Sequence, residues 1–150
     1  MTAKLHSRLW PALAAVAACA ALIAANAGAA QTGQKTLHLT SKAQPGAGFA
    51  PSGRPRPGAR LGFGDRISGD DTGYARGVCT IMAKSQGVLC TIQLQLSKGT
   101  ITAQGMLPER SRNTPAAITG GTEAYDGARG TALATDTGPN SAAIEITLLP

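Results

Sequence analysis

The stretch Cys90-Thr91-Ile92-Gln93-Leu94-Gln95-Leu96 sets the cysteine and every large apolar side chain on one parity, and Thr, Gln and Gln on the other. Successive side chains of a strand point to opposite faces, so a period of two describes a strand with one buried face. Near the C-terminus Ile144, Ile146 and Leu148 repeat the pattern against Glu145 and Thr147. Segments rich in β-branched residues and punctuated by Gly, Asn, Asp and Pro predict strands over 77–83, 88–96, 99–106, 115–119, 129–135 and 141–149. Thr36 to Thr40 and Phe63 to Ser68 bring the count to eight. Outside the first thirty residues no window carries a 3.6-residue apolar stripe, so little helix is expected. The expected fold is all-β, a single small antiparallel eight-stranded β-barrel, with a β-sandwich as runner-up. A barrel of about eight strands is filled by its own side chains or holds one small ligand.

Upstream of the strands, residues 1–30 have the layout of a cleavable signal peptide. Lys4 and Arg8 form a basic start, an alanine-dominated apolar run extends from Leu9 to Ala25, and two small-x-small sites, Ala25-Asn26-Ala27 and Ala27-Gly28-Ala29, follow it. Pro11 near the start of the run, with Asn26 and Gly28 at its end, argues against a membrane span. Val16-Ala17-Ala18-Cys19 loosely resembles a lipid-attachment box, but the apolar run continues past Cys19, so a free secreted or periplasmic product is expected rather than an anchored one. Residues 31–60 then supply a first strand and a Pro/Gly-rich loop, and residues 61–150 the main part of the barrel.

Composition narrows the chemistry. Of 14 Lys and Arg, Lys4 and Arg8 leave with the signal, which sets 12 basic residues against 8 acidic ones. Lys42, Arg54, Arg56 and Arg60 lie in or beside the Pro/Gly-rich stretch without the run of interleaved aromatics that would stack bases, so nucleic acid is not an expected partner. His38 is the one histidine beyond the signal, and Cys79 and Cys90 lack the two-to-four-residue spacing of a metal knuckle, so no metal site is expected. A hairpin centred between Lys84 and Ser85 sets Cys79 opposite Cys90, at the roughly 4.5 to 5.5 Å Cα separation that a disulfide spans. In an exported chain this pair is expected to be bonded, with a free thiol at Cys79 as the alternative.

Several runs then fall into a known outline: Gly64-Asp65, Gly77-Val78-Cys79, Gly99-Thr100-Ile101-Thr102-Ala103-Gln104-Gly105, and Ile118-Thr119-Gly120-Gly121-Thr122-Glu123-Ala124-Tyr125-Asp126-Gly127-Ala128-Arg129-Gly130. Together they resemble the allene oxide cyclase and dirigent superfamily, and more closely the small exported bacterial proteins with an allene-oxide-cyclase-like barrel. The resemblance covers residues 61–150 and is most specific from Thr119 to Gly130. It implies a barrel with a largely apolar cavity, often trimeric and without a cofactor, that holds a small apolar intermediate and directs its cyclisation or coupling. The first-strand carboxylate of the plant cyclases falls near His38 and Thr40 here, and the glycine usual after Gly-Gly-Thr is Glu123. Cyclase or isomerase chemistry of that general type is therefore expected without allene oxide cyclase activity itself. A non-catalytic dirigent-like template or carrier is the alternative, and an extracellular or envelope structural protein a further one.

Asp65, Asp70 and Asp71 are the candidate catalytic residues, since the first strand offers no carboxylate and the C-terminal half offers mainly backbone-shaping glycines. Asp70 and Asp71 are adjacent, so at most one points inward, and Asp70-Asp71-Thr72-Gly73 also has the composition of a hairpin turn. Asp65 has Arg66 and Arg76 as possible ion-pair partners. His38, Tyr74, Arg76 and Tyr125 are the candidate ligand-binding residues, with Tyr125 also read as an aromatic plug closing one barrel end and His38 as a strand-surface residue.

Overall fold

The computed structural model describes residues 33–52, 54, 56–83, 87–107 and 111–150. The expected signal segment 1–30, with Cys19, lies outside the described residues, as do the turn residues 84–86. The unit from Gln34 to Pro150 is a closed barrel of eight strands in sequence order. They are β1 (Lys35–Ala43), β2 (Arg60–Gly69), β3 (Gly73–Ile81), β4 (Val88–Leu96), β5 (Gly99–Leu107), β6 (Asn113–Gly121), β7 (Gly130–Gly138) and β8 (Ser141–Leu148). The one helical element among the described residues is a 3-10 turn, Glu123–Tyr125.

Closure rests on the antiparallel pairing of β1 with β8, from Lys35 opposite Leu148 to Lys42 opposite Ser141. That pairing removes both sheet edges and excludes the sandwich. The alternation in β4 resolves as expected: Cys90, Leu94 and Leu96 are buried while Thr91, Gln93 and Gln95 are exposed. Ile146 and Leu148 of β8 are likewise buried, with Glu145 exposed between Ile144 and Ile146. Leu37, Leu39, Ile67, Leu94, Leu96, Ile101, Ile118, Ile146 and Leu148 form the core.

Strand β3 begins at Gly73 and ends at Ile81, earlier than the 77–83 expected. The reason is register. Gly73 pairs with both Ile67 of β2 and Leu96 of β4, so the ladder runs to the glycine and only residues 70–72 make the turn. Cys79 pairs with Cys90 as the hairpin geometry predicts, and the two form a disulfide, with their Cα atoms closer than expected at 4.0 Å.

Up-and-down topology puts the connections at alternate ends. One end carries the loop 44–59, which returns along β2 through paired backbone hydrogen bonds between Phe49 and Gly62. The opposite end carries the β2–β3 turn, the β4–β5 turn at Ser97-Lys98 and the 3-10 segment. Among the described residues, no helix is long and apolar enough to cross a membrane.

Candidate functional site

The two barrel ends are built differently. At the end carrying the 3-10 turn, Tyr125 is 2% exposed and donates its hydroxyl to Asp71 Oδ2 at 2.7 Å. Asp71 Oδ1 accepts the Ser97 hydroxyl at 2.5 Å, the Thr72 N–H at 2.7 Å and the Ser97 N–H at 3.1 Å. Burial alone would raise the Asp71 pKa, but these four donors outweigh it and hold the carboxyl well below the usual range. Burial and the neighbouring carboxylate push Tyr125 up to about 12. The Lys35 ammonium lies 5.2 Å from the Tyr125 ring centroid. Tyr125 is thus a plug, locked by a satisfied carboxylate.

Toward the other end lies a cavity of about 160 Å³. Its origin is visible in the inward residues. Strands β5 to β7 supply Ala103, Ala116, Ala132 and Ala134, where a filled eight-stranded barrel would carry larger side chains. Phe63, Ile92, Leu94, Ile144 and Ile146 face them, and Cys90 of the disulfide completes part of the wall. Phe63 reaches this position because its ring lies on Gly77, where any Cβ would collide with it. The glycine of Gly77-Val78-Cys79 therefore shapes the cavity, and its cysteine staples the strand that forms it.

Three residues with polar side chains line the cavity: Ser41, Asp65 and Thr114. Asp65 is its one titratable side chain among the described residues. Ser41 is 5% exposed, and its hydroxyl donates a short hydrogen bond to Asp65 Oδ2. Asp65 Oδ1 has no protein donor among the described residues. Ser41, Asp65 and Ala142 also line an adjoining groove that continues through Asp136, Asn140 and Ser141. The apolar cavity thus opens past a carboxylate into a polar vestibule.

The candidate residues consequently separate. Asp65 faces the cavity. Asp71 faces inward at the plugged end, and Asp70 is exposed and caps the His38 backbone N–H at 2.8 Å. The pairing considered between Asp65 and Arg66 or Arg76 is replaced by the Ser41 bond, because both arginines stand at exposed positions of their strands. His38, Tyr74 and Arg76 project outward, with Arg66 stacked 5.6 Å over the Tyr74 ring. Ser41 and the alanine wall escaped the sequence reading. Their signal was parity: Ala132 and Ala134 share the inward register of Ile146 and Ile144, while Leu133, the larger side chain, faces out at 43% exposure.

No family model matches the chain, and no curated protein matches it. Solved structures do. A pyocyanin demethylase is 25% identical with a TM-score of 0.65, covering 76% of this chain and 99% of that one. A pterocarpan synthase dirigent protein is 18% identical with a TM-score of 0.56, covering 77% of this chain and 84% of that one. A nonspecific heme-binding cyclase that catalyses a cycloaddition during neoabyssomicin biosynthesis is 16% identical with a TM-score of 0.59, covering 100% of this chain and 84% of that one. The chain shares its closed eight-stranded barrel fold with these structures.

Proposed function

We propose that this barrel binds a small, largely apolar molecule in its cavity and isomerises or cyclises it, with Asp65 moving the proton. The observation that supports this reading is a single carboxylate on a wall made mostly of Ala, Ile, Leu and Phe, with Ser41 and Thr114 its other polar side chains. An engineered apolar cavity of about 150 Å³ takes up benzene, so a space of this size suits one ring, with the rest of a larger molecule extending into the vestibule. Ser41 orients Asp65 through Oδ2, leaving Oδ1 to accept a proton from the ligand at one position and return it at another. The alanine wall holds the reacting conformation and keeps water away from it. Haem does not fit the cavity. Among the described residues its wall offers no His, Met, Tyr or free Cys as an axial ligand, and the cavity volume is that of a single ring.

A dirigent-like template is the second reading, favoured by the scarcity of titratable groups on the wall. An envelope structural role is the weakest of the three, since such a barrel would be filled by its own side chains. Export to the periplasm or medium is part of the proposal and accords with the disulfide. Assembly as a homotrimer is the further expectation carried over from the superfamily.

Native mass spectrometry of the exported protein should show a retained small molecule. Once a substrate is known, Asp65→Asn should lower turnover at saturating substrate by about 10² to 10⁴. Asp70→Asn should leave turnover at the parent rate. Full turnover by Asp65→Asn would transfer the case to the template reading.

A further inference from the structure

We infer that the ligand of this cavity is an organic cation: an apolar body of about one ring bearing an ammonium or a comparable positive nitrogen. The inference rests on the proposal that the cavity binds a small apolar molecule, and adds the charge of its polar end.

A ligand that extends out of the apolar part meets a carboxylate first. Asp65 stands where the cavity joins the vestibule, with one carboxylate oxygen engaged by Ser41. Past it the groove is lined by Asp136, Asn140 and Ser141, and its described lining residues include no Lys, Arg or His. The cavity wall likewise holds no basic side chain among its described residues. The arginines of the 44–59 loop, Arg54 and Arg56, line neither space. A ligand head group in the vestibule therefore meets two carboxylates, a carboxamide and hydroxyls. An anionic head would face like charges beside a low-dielectric wall, where repulsion is strong, whereas a cation completes a charge-assisted hydrogen bond to Asp65. Burying Asp65 beside a purely apolar molecule would instead leave its charge desolvated without compensation. Charge complementarity and cavity shape thus select the same molecule, an apolar ring pointing inward and a positive nitrogen pointing out.

Three single-ring probes of similar size test this by calorimetry at low salt: benzylammonium, benzyl alcohol and benzoate. Benzylammonium should bind about tenfold or more tightly than benzyl alcohol, and benzoate should bind most weakly. Asp65→Asn should erase the preference for benzylammonium while keeping benzyl alcohol binding. Asp136→Asn, at an exposed position outside the core, should reduce that preference partially and serves as the second variant should Asp65→Asn not fold. If benzyl alcohol binds and benzylammonium binds no better, or if the preference survives both substitutions, the cation assignment is overturned and the apolar cavity stands. If none of the three probes binds the parent protein, the cavity reading and the cation assignment fall together.

Discussion

Asp65 and Asp71 come from the same hairpin, yet burial and hydrogen bonding give them opposite characters. Asp71 receives donors on both oxygens and is 4% exposed, so it serves the plugged end; Asp65 shares only Oδ2 with Ser41 and faces open space. Removing one donor to a buried carboxylate loses a charge-assisted hydrogen bond and leaves Oδ2 without its partner, so Tyr125→Phe should cost about 2 kcal/mol in chemical denaturation. The pH dependence follows from the two shifts. Asp71 is held below its ordinary value, so its contribution is complete above about pH 4 and falls away as acid protonates it. Tyr125 is raised to about 12, so its contribution is complete below the ordinary tyrosine value of about 10 and disappears as pH rises through 12. Denaturant midpoints measured from pH 2 to 12 should fall at both extremes, and Tyr125→Phe should flatten the alkaline fall. A parent protein whose midpoint stays level from pH 10 to 12 would show that the Tyr125–Asp71 bond contributes little. At this scale the sequence told that only one of Asp70 and Asp71 could point inward, because neighbours on an extended chain alternate. It did not tell which end of the barrel that residue would face, since this depends on where the turn falls in the register.

Strand parity was legible in β4 and β8, where large apolar residues mark the inward face, and the cysteine pairing followed from the hairpin arithmetic between them. It was weaker in β7, where inward Ala132 and Ala134 alternate with Thr131 and Leu133 and hydrophobicity points the wrong way. The disulfide closes a short loop, and a chain-entropy estimate puts its contribution at about 3 kcal/mol. Alkylation of the non-reduced protein should label neither Cys79 nor Cys90, and the pair of changes Cys79→Ala and Cys90→Ala should lower stability by about that amount while the β-type circular dichroism persists. Quantitative labelling of both cysteines without reductant would leave the hairpin unstapled. The register also dictates one glycine. Gly130 starts β7 at φ +146, and a Cβ there would strike the Thr147 backbone carbonyl of β8. The obstacle is backbone within a ladder and cannot swing aside, so Gly130→Ala should destabilise by about 2 kcal/mol or more.

A closed eight-stranded barrel has an interior of fixed width, so what it can hold is decided by the volume of its inward side chains. Here one end is filled by Leu37, Leu96, Leu148 and Tyr125, while the other is left partly empty because β5 to β7 turn alanines inward. The fold was readable from alternation, but the cavity was not, because it arises from a shortage of volume distributed over several strands whose mutual register only the closed barrel defines. That origin makes the space adjustable without disturbing the hydrogen-bonded ladders. Ala132 lies against the cavity and pairs in register with Ile146. Ala132→Leu would add three carbon atoms to the cavity wall and bury them in the cavity. Cavity filling of this kind commonly stabilises by about 1 kcal/mol, so the thermal midpoint should hold or rise. Ligand binding should fall at least tenfold, since the ring-sized space is the one being filled. Benzyl alcohol titration with parallel thermal melts reads both quantities on the same samples. A variant that melts no lower and binds as well as the parent would place the binding site elsewhere on the barrel. A variant that loses both stability and binding would instead show that the wall is already closely packed, with the alanines seated against partners rather than beside a void.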